Sequence, residues 1–381
     1  MRVLNVNSTL GLKTGGGTAE RTFQMSRYLA TLGFATTILT LDIELDEPRK
    51  QAVSPATVVT LPCLWMRFYI PRSGLEIIRR LVNESDIIHL MGHWSILNAL
   101  VYVVARRENK PYVVCPAGAL PFFGRSALLK LLYNLLVGYA LIRNAIAWIA
   151  VTEGEFSHFE SYGISSSEVI VIPNGVSEQD FPVTSKCIFL KRHSLPDMPY
   201  ILFMGRLNPI KGPDLLLRAY IQACKNIPGY HLVFAGPDGG MFSGLVQEAK
   251  KAGVSAQVHF IGYVSGEDKS AAYRYAQLLV VPSRQEAMSI VAVEAGICGT
   301  PVLLTNQCGF SDVRQVDSRM EVEATVEGIA TGLSNLLVDP ITVTQISPAW
   351  KIFVEKRYAW SNIVEEYLKL YRGIMLLPVH K

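Results

Sequence analysis

The residues best suited to chemistry lie in one stretch, 283–302, at the predicted start of a helix. An apolar run at 278–282 predicts a buried strand just before it. Ser289 is the predicted N-cap of the helix, and Gly299 is its predicted end. Backbone amides at such a helix start lie at the positive end of the helix dipole, so the amides after Met288 are predicted to bind an anion.

Two glutamates flank this predicted anion site. Glu286 lies in the loop before the helix, and Glu294 falls about one turn inside it, on the same face as Ile290. Because carboxylates accept hydrogen bonds from hydroxyls while amides bind phosphate, the combination predicts a ligand that carries both phosphate and sugar. The alternative is that both glutamates are solvated, as exposed helical glutamates usually are.

Two cations follow another predicted strand, 201–204. Arg206 and Lys211 stand close to its carboxyl end, where α/β sheets bind ligands. A guanidinium can bind a diphosphate through two hydrogen bonds, and a lysine supplies a mobile point charge. The alternative is solvated surface charge. No convincing pair of aspartates for a metal accompanies them; Asp42 and Glu44 stand alone after a strand.

The first half of the chain offers two weaker candidates. Gly16 and Gly17 belong to a glycine-rich turn between the first strand and a helix, where the backbone can approach a phosphate or sugar closely. The turn lacks a tight G-x-G-x-x-G pattern, which disfavours nicotinamide binding. His93 follows a strand end. It either lines a cleft where a second substrate could bind, or it is a loop histidine whose hydrogen bonds are satisfied within the protein. His89 and His93 straddle a turn, so their spacing does not favour zinc.

Composition sets the broad class. The chain has 381 residues, is 50% hydrophobic and carries a formal net charge of +4, which suggests two domains and gives no argument for nucleic acid. Its six cysteines form no C-x-x-C pair, as expected of reduced thiols in a cytoplasmic protein. No apolar run reaches the roughly 18 residues that a spanning helix needs, and the N-terminus predicts a strand rather than a signal peptide.

Short apolar runs alternate with helical patterns along the chain, which predicts parallel βαβ units. The predicted strands are 3–6, 36–41, 86–90, 112–115, 147–151 and 169–172, then 200–204, 231–235, 258–261, 278–281 and 301–304. A polar stretch at 177–199 is the predicted linker, and 349–369 has helical spacing. The apolar segment 122–143 has sparse cations; it fits a membrane-surface helix, although its thin polar face favours burial in a core.

The strand–Glu–helix–Glu arrangement and the cation block before it resemble retaining glycosyltransferases of the GT-B fold, family 4 (group 1). The resemblance covers nearly the whole chain. It implies an α/β protein of two Rossmann-like, doubly wound domains that face each other across a cleft. The implied domains are an acceptor-side domain, 1–180, completed by a C-terminal helix, 349–381, and a nucleotide-sugar-binding domain, 181–348.

The resemblance also implies roles for individual residues. Catalysis would rest on Glu286, Arg206 and Lys211, and His93 would be the acceptor-side candidate. The implied donor-binding residues are Gly16, Gly17, Arg206, Lys211, Gly236, Tyr263, Val264, Glu286, Met288, Ser289, Ile290 and Glu294. Two positions depart from the family pattern. Ala117 stands where the family often has a histidine that touches the transferred sugar, and Ala287 stands where glycine commonly follows the first glutamate.

The implied function is transfer of a hexose, with retention of configuration, from a UDP-, GDP- or ADP-sugar to a hydroxyl of a glycan or lipid-linked glycan. The setting would be cell-envelope polysaccharide or lipopolysaccharide biosynthesis in the cytoplasm, with possible peripheral contact at the inner face of the membrane. No metal and no cofactor is expected. The alternatives are a non-catalytic nucleotide-sugar-binding partner of a synthase and a sugar-nucleotide epimerase on the same fold.

Overall fold

The computed structural model describes residues 1–11, 15–121 and 126–376, which divide into two compact units. The first unit comprises Met1–Gly175 and the chain from Trp360 onward, and the second comprises Val176–Ala359. The chain therefore passes between the units twice. The domain boundaries predicted from the sequence put these crossings at 180/181 and 348/349. In the structure the second crossing lies between Ala359 and Trp360, eleven residues further along the chain than predicted (360 − 349 = 11).

The first unit is built on a parallel seven-stranded sheet of order β3-β2-β1-β6-β7-β8-β9. A small antiparallel hairpin, β4–β5, stands apart from it. The strands are β1 (Arg2–Val6), β2 (Ala35–Leu41), β3 (Thr57–Leu61), β4 (Cys63–Trp65), β5 (Ile70–Pro71), β6 (Ile87–Met91), β7 (Tyr112–Cys115), β8 (Ala147–Ala150) and β9 (Val169–Val171). The helices are α1 (Gly16–Thr31), α2 (Glu47–Ala52), α3 (Leu75–Glu84), α4 (Ile96–Arg107), α5 (Ala127–Tyr133), α6 (Tyr139–Arg143) and α7 (Phe156–Glu160).

Both faces of this sheet are covered, as alternation along β1 illustrates. Leu4 and Val6 point into the core cluster that contains the buried residues of α3 and α4. Asn5 points to the other face, where its amide donates to the Ser26 hydroxyl of α1 at 2.7 Å. Successive side chains of a strand alternate between faces, so helices on both sides bury all positions of β1 after Arg2.

The second unit repeats the plan with a parallel six-stranded sheet of order β12-β11-β10-β13-β14-β15. The strands are β10 (Tyr200–Met204), β11 (His231–Ala235), β12 (Val258–Gly262), β13 (Leu278–Val281), β14 (Val302–Thr305) and β15 (Glu321–Val322). The helices are α8 (Lys186–Arg192), α9 (Pro213–Ala223), α10 (Phe242–Lys251), α11 (Gly266–Arg274), α12 (Ile290–Ile297), α13 (Val326–Leu337) and α14 (Pro340–Tyr358).

The predicted strands are confirmed, and the differences lie at weakly patterned segments. The sequence misses β3, β15 and the hairpin, which are short or at sheet edges. The predicted linker 177–199 is wrong in part: it contains α8, which packs against α11 and buries Phe189 and Leu190.

The predicted single helix after residue 349 is two helices. α14 ends at Tyr358, and the extended backbone of Ala359 (ψ 134°) separates it from the last helix, α15 (Trp360–Leu376). α14 packs against α12 and α13 and thus belongs to the second unit, so α15 alone returns to the first.

A buried arginine ties α15 to the first unit. Arg21 of α1 is fully buried, and its guanidinium donates to the Ile172 carbonyl at 2.6 Å, the Asn174 side chain at 2.9 Å and the Tyr367 hydroxyl at 2.5 Å. Since a buried charge without partners is strongly destabilising, Arg21 holds α1, the end of the sheet and α15 together.

The segment 122–143 is not the buried helix that its thin polar face favours; residues 122–125 lie outside the described chain. Within 127–143, a π-helical turn (Asn134–Gly138) separates α5 from α6. Asn134 is buried, whereas Leu128 is 82% exposed and Leu136 is 75% exposed. Buried side chains thus occur only from Asn134 onward, and the leucines of α5 and of the turn itself face outward.

Candidate functional site

The predicted donor residues gather where the strand order of the second unit reverses. β11 and β12 lie on one side of β10, and β13 to β15 lie on the other. In open α/β sheets, ligands bind outside the carboxyl ends of the strands at such a switch point. Arg206 and Lys211 follow β10, and Glu286 and Glu294 follow β13, so the topology brings the cations and the glutamates to one edge of the sheet.

The loop after β10 is fixed by its neighbours. The Leu207 amide donates to the Pro237 carbonyl at 3.0 Å, and the Asn208 side chain accepts from the Lys211 amide at 3.0 Å. Gly236 follows β11 with φ +147°, and a Cβ there would lie 1.9 Å from the carbonyl oxygen of Gly205, so only glycine fits. This packing presents the exposed Arg206 at the carboxyl edge.

Lys211 and Glu286 form an ion pair. The Lys211 Nζ lies 2.5 Å from Glu286 Oε1, and the Ser283 hydroxyl donates to Glu286 Oε2 at 3.0 Å. The Glu286 side chain is 12% exposed and that of Lys211 is 33% exposed. The Glu286 amide donates to the Gln307 carbonyl at 2.9 Å, which anchors the loop. The sequence assigned these two residues separate tasks and did not predict their contact.

The start of α12 is as predicted in position but not in hydrogen bonding. Ser289 occupies the N-cap position and is fully buried, yet its hydroxyl makes no hydrogen bond to any described residue. Met288 is also buried, and Ile290 begins the helix half-buried. The predicted end is confirmed: Gly299 has φ +82°, and its amide donates to the Gly296 carbonyl at 2.9 Å.

Glu294 is held by two residues that sequence reasoning missed. Its Oε1 accepts from Lys269 Nζ at 2.6 Å, and its Oε2 accepts from the Tyr273 hydroxyl at 2.7 Å. Glu294 is 5% exposed, and burial together with this carboxylate raises the pKa of Tyr273 well above its usual value. Lys269 and Tyr273 are four residues apart on α11, a spacing that places them on one face and could have suggested a pair.

The remaining donor candidates of the second unit lie after β12. The Gly236 amide donates to the Gly262 carbonyl at 2.7 Å, which brings Tyr263 and Val264 beside the loop after β11. Tyr263 is 43% exposed, whereas the Val264 side chain is 6% exposed. Val264 therefore offers little surface to a ligand.

The glycine-rich turn of the first unit also lies at a switch point, between β1 and β6. Gly16 and Gly17 are exposed, with open space where a Cβ would stand, and Thr14 of the turn lies outside the described residues. The Ser8 hydroxyl donates to the Ser95 hydroxyl at 2.7 Å, which joins the loops after the two strands.

His93 does not line a surface, so its assignment as an acceptor-side contact is wrong in that sense. It is 1% exposed, and its Nε2 lies 2.9 Å from Asn134 Oδ1 and 3.2 Å from the Tyr162 hydroxyl. Burial lowers the pKa of His93 to about 4, which keeps the ring neutral. Beside it, the half-buried Trp94 and Tyr133 line a cavity of about 510 Å³.

The departure at Ala117 has a structural counterpart. Ala117 follows β7 with φ +48°, a left-handed conformation that favours glycine or asparagine. The carboxylate of Glu155 lies beneath this turn and accepts from the amides of Gly118 and Val151. The turn that carries residue 117 is thus fixed by a buried carboxylate, that of Glu155, which the sequence analysis does not predict as part of the site.

Among the described residues, no group of three or more His, Cys, Asp or Glu side chains is arranged to hold a metal ion. In the same ranges, none of the helices combines the length and the apolar character that crossing a membrane requires.

Known proteins match both units. The profile of glycosyltransferase family 4 matches residues 15–180, and that of glycosyl transferases group 1 matches residues 189–349. A D-inositol 3-phosphate glycosyltransferase of Acidothermus cellulolyticus is 30% identical over 96% of this chain and 87% of its own. The enzyme of that name from Rhodococcus erythropolis is 31% identical over 45% of this chain, and the match spans only 40% of the relative's length.

A solved structure agrees with these matches. That of Anabaena Alr3699/HepE in complex with UDP and glucose has a TM-score of 0.78 and 17% identity, and it covers 98% of this chain and all of the other. Identity at this level shows a shared fold. Together, the profile matches, the full-length relative and the two doubly wound sheets show that this chain belongs to the group 1, family 4 glycosyltransferases of the GT-B fold.

Proposed function

We propose that the chain transfers a hexose from a nucleoside diphosphate sugar to a hydroxyl of a glycan or glycolipid, with retention at the anomeric carbon. The observation that carries this proposal is the grouping at the β10/β13 switch point. There the Lys211–Glu286 ion pair stands beside Arg206 and the start of α12. A cation suits a diphosphate, and a carboxylate suits the hydroxyls of a sugar.

The ion pair can serve both parts of the donor at once. A lysine ammonium has three N–H donors, and Glu286 occupies one of them, so two remain for phosphate oxygens. Glu286 keeps lone pairs on both oxygens after accepting from Lys211 and Ser283, and these can accept from sugar hydroxyls. The pair thus pre-orients each side chain before the donor arrives.

The reaction breaks the bond between the anomeric carbon and the β-phosphate oxygen and forms a bond from the acceptor oxygen to the same face of that carbon. The acceptor proton passes to the departing phosphate. Charge develops on that phosphate, where Arg206, Lys211 and the first amides of α12 can stabilise it. Glu294, held by Lys269 and Tyr273, is proposed to accept from the ribose.

The acceptor is proposed to bind the first unit. Its cavity combines the aromatic rings of Trp94 and Tyr133 with Lys130, whose ammonium lies 5.1 Å from the centre of the Trp94 indole. Aromatic faces and a cation suit a glycan or lipid-linked glycan that carries an anionic group.

The six cysteines are all free thiols, which supports a cytoplasmic setting.

The test is direct. Thermal shift against UDP-, GDP- and ADP-sugars should identify the donor, because a ligand that prefers the folded state raises the melting temperature. UDP-glucose is the first to try, given the ligands named for the Anabaena structure, with D-inositol 3-phosphate as a soluble acceptor. Product configuration by NMR then tests retention. Binding without any sugar release or transfer would instead indicate a non-catalytic partner, and interconversion of donor epimers would indicate an epimerase.

A further inference from the structure

The first unit carries an exposed apolar surface, of which the cavity proposed for the acceptor uses only Leu129. We call it the leucine face, and it comprises Leu128, Leu129, Leu131, Leu132, Leu135 and Leu136. Their exposed fractions range from 45% at Leu131 to 82% at Leu128. Single exposed leucines are ordinary, but six within nine residues form a patch of the kind that marks an interaction site.

The tip of the β4–β5 hairpin adjoins the leucine face. The Arg67 guanidinium donates to the Ser126 hydroxyl at 3.1 Å, just before α5 begins. Beside it, Leu64, Trp65 and Met66 are 64%, 54% and 56% exposed. The hairpin thus adds three apolar side chains, one of them an indole, to the same region.

A buried polar cluster keeps the leucines outward. In the π-helical turn, Asn134 points inward: its Nδ2 donates to the Tyr162 hydroxyl at 2.6 Å, and its Oδ1 contacts His93. Gly138 allows this approach, since a Cβ there would lie 2.1 Å from Asn134 Oδ1. With Asn134 fixed inside, Leu135 and Leu136 remain 68% and 75% exposed. The outward orientation therefore follows from specific contacts.

The charges around this surface have one sign. The sequence has no acidic residue from 48 to 75 or from 109 to 152, the two stretches that build it. Of their cations, Arg67 contacts Ser126 just before α5, and Lys130 lies among the leucines in the chain. Leucine and tryptophan at the surface with cations and no carboxylates match the requirements of an anionic lipid interface.

From this complementarity we infer that the leucine face docks on an anionic lipid bilayer. The apolar side chains enter the boundary between head groups and acyl chains, while Arg67 meets lipid phosphates. Arg67 and Leu129 also line the cavity, so the cavity borders the same surface. This inference does not depend on the reaction proposed above.

The experiment is flotation of the full chain with two kinds of vesicle: phosphatidylcholine alone, and phosphatidylglycerol with phosphatidylcholine in equal parts. Binding is expected to the mixed vesicles, and it should weaken as salt screens the charges. The Leu135→Ser/Leu136→Ser variant should bind about tenfold more weakly, because two exposed leucines no longer enter the apolar layer. The matched control is Val338→Ser/Ile341→Ser, whose side chains are 61% and 62% exposed in the second unit.

Three outcomes would overturn the inference: no flotation with the anionic vesicles, equal loss in the control, or a leucine variant that binds as the unaltered chain does. A rival explanation is that a second copy of the chain covers the leucine face. Sedimentation velocity tests it, because a dimer that dissociates in the leucine variant would show such an interface. Calorimetry with a nucleoside diphosphate should be unchanged in the leucine variant. Failure of the proposed reaction would therefore be distinguishable from failure of membrane docking.

Discussion

Replacing Lys211 by methionine tests the diphosphate site most directly. The change keeps the apolar stem of the side chain and removes the ammonium that lies 2.5 Å from Glu286 Oε1. Loss of one charge-assisted donor at a developing charge typically costs about 3 kcal/mol, or roughly a hundredfold in rate. A loss of similar order is expected in affinity for whichever of UDP, GDP and ADP binds most tightly, measured by calorimetry.

The cost to folding should be much smaller. Because Lys211 is one-third exposed, water screens its ion pair, and Ser283 still donates to Glu286 in the variant. The free energy of unfolding should therefore fall by about 1 kcal/mol. Lys186→Met is the matched control, since Lys186 pairs with Asp197 at 2.6 Å in the same unit, on an exposed surface. It should leave nucleotide affinity unchanged.

The last measurement is the affinity for the corresponding nucleoside, which has no phosphates. Lys211→Met should leave nucleoside affinity nearly unchanged, because the ammonium is assigned to the diphosphate. Two results would refute the reasoning: diphosphate affinity within about threefold of the unaltered chain, against the roughly hundredfold loss expected, or an equal loss for the nucleoside. The second result would place Lys211 near the base or ribose.

Three further predictions address other parts of the molecule. Glu294→Gln should weaken binding of the bare nucleotide by about 1.5–3 kcal/mol, which is the contribution of a hydrogen bond to a charged group. Glu286→Gln should leave nucleotide binding unchanged and lower the rate of transfer. Equal effects of the two variants on nucleotide affinity in calorimetry would contradict this division. Transfer should persist in excess EDTA, because side-chain cations and helix amides supply the positive charge, and restoration by magnesium after loss would argue otherwise. Burial lowers the pKa of His89 to about 3 and of His93 to about 4. As the pH falls below about 6.5, these histidines take up protons in the unfolded chain before they do so in the folded chain. The free energy of unfolding, measured with urea, should therefore fall by about 1.4 kcal/mol per pH unit for each histidine. A constant free energy of unfolding between pH 7 and 5 would disprove this.

The sequence predicts the strands of both sheets well, because buried parallel strands are apolar throughout and leave a local signal. It also predicts that Arg206, Lys211 and the two glutamates share a site, since strand ends in a parallel sheet meet at one edge. Local patterns cannot show which side chains pair across that edge. The Lys211–Glu286 contact joins residues 75 positions apart, and only the folded topology reveals it.

Other misses have the same origin. The place of His93 after a strand predicts a residue at the sheet edge, whereas its burial depends on Asn134 and Tyr162 from distant segments. The leucines at 128–136 favour a core by composition, and a single inward-pointing asparagine in a π-helical turn decides their orientation instead. Helical spacing predicted one terminal helix, but spacing alone could not locate the extended residue, Ala359, where the chain changes unit.

The return of α15 to the first unit has a consequence for how the chain is made. The second unit is continuous, Val176–Ala359, and emerges from the ribosome before α15. Until then Arg21 lacks the Tyr367 hydroxyl, and its fully buried guanidinium has one partner fewer. The second unit therefore holds all of its elements in one uninterrupted stretch, whereas the first is completed only by a helix that is synthesised after the second unit. In terms of synthesis order, the second unit is thus an insert within the first, and the helix that completes the first unit is made after it.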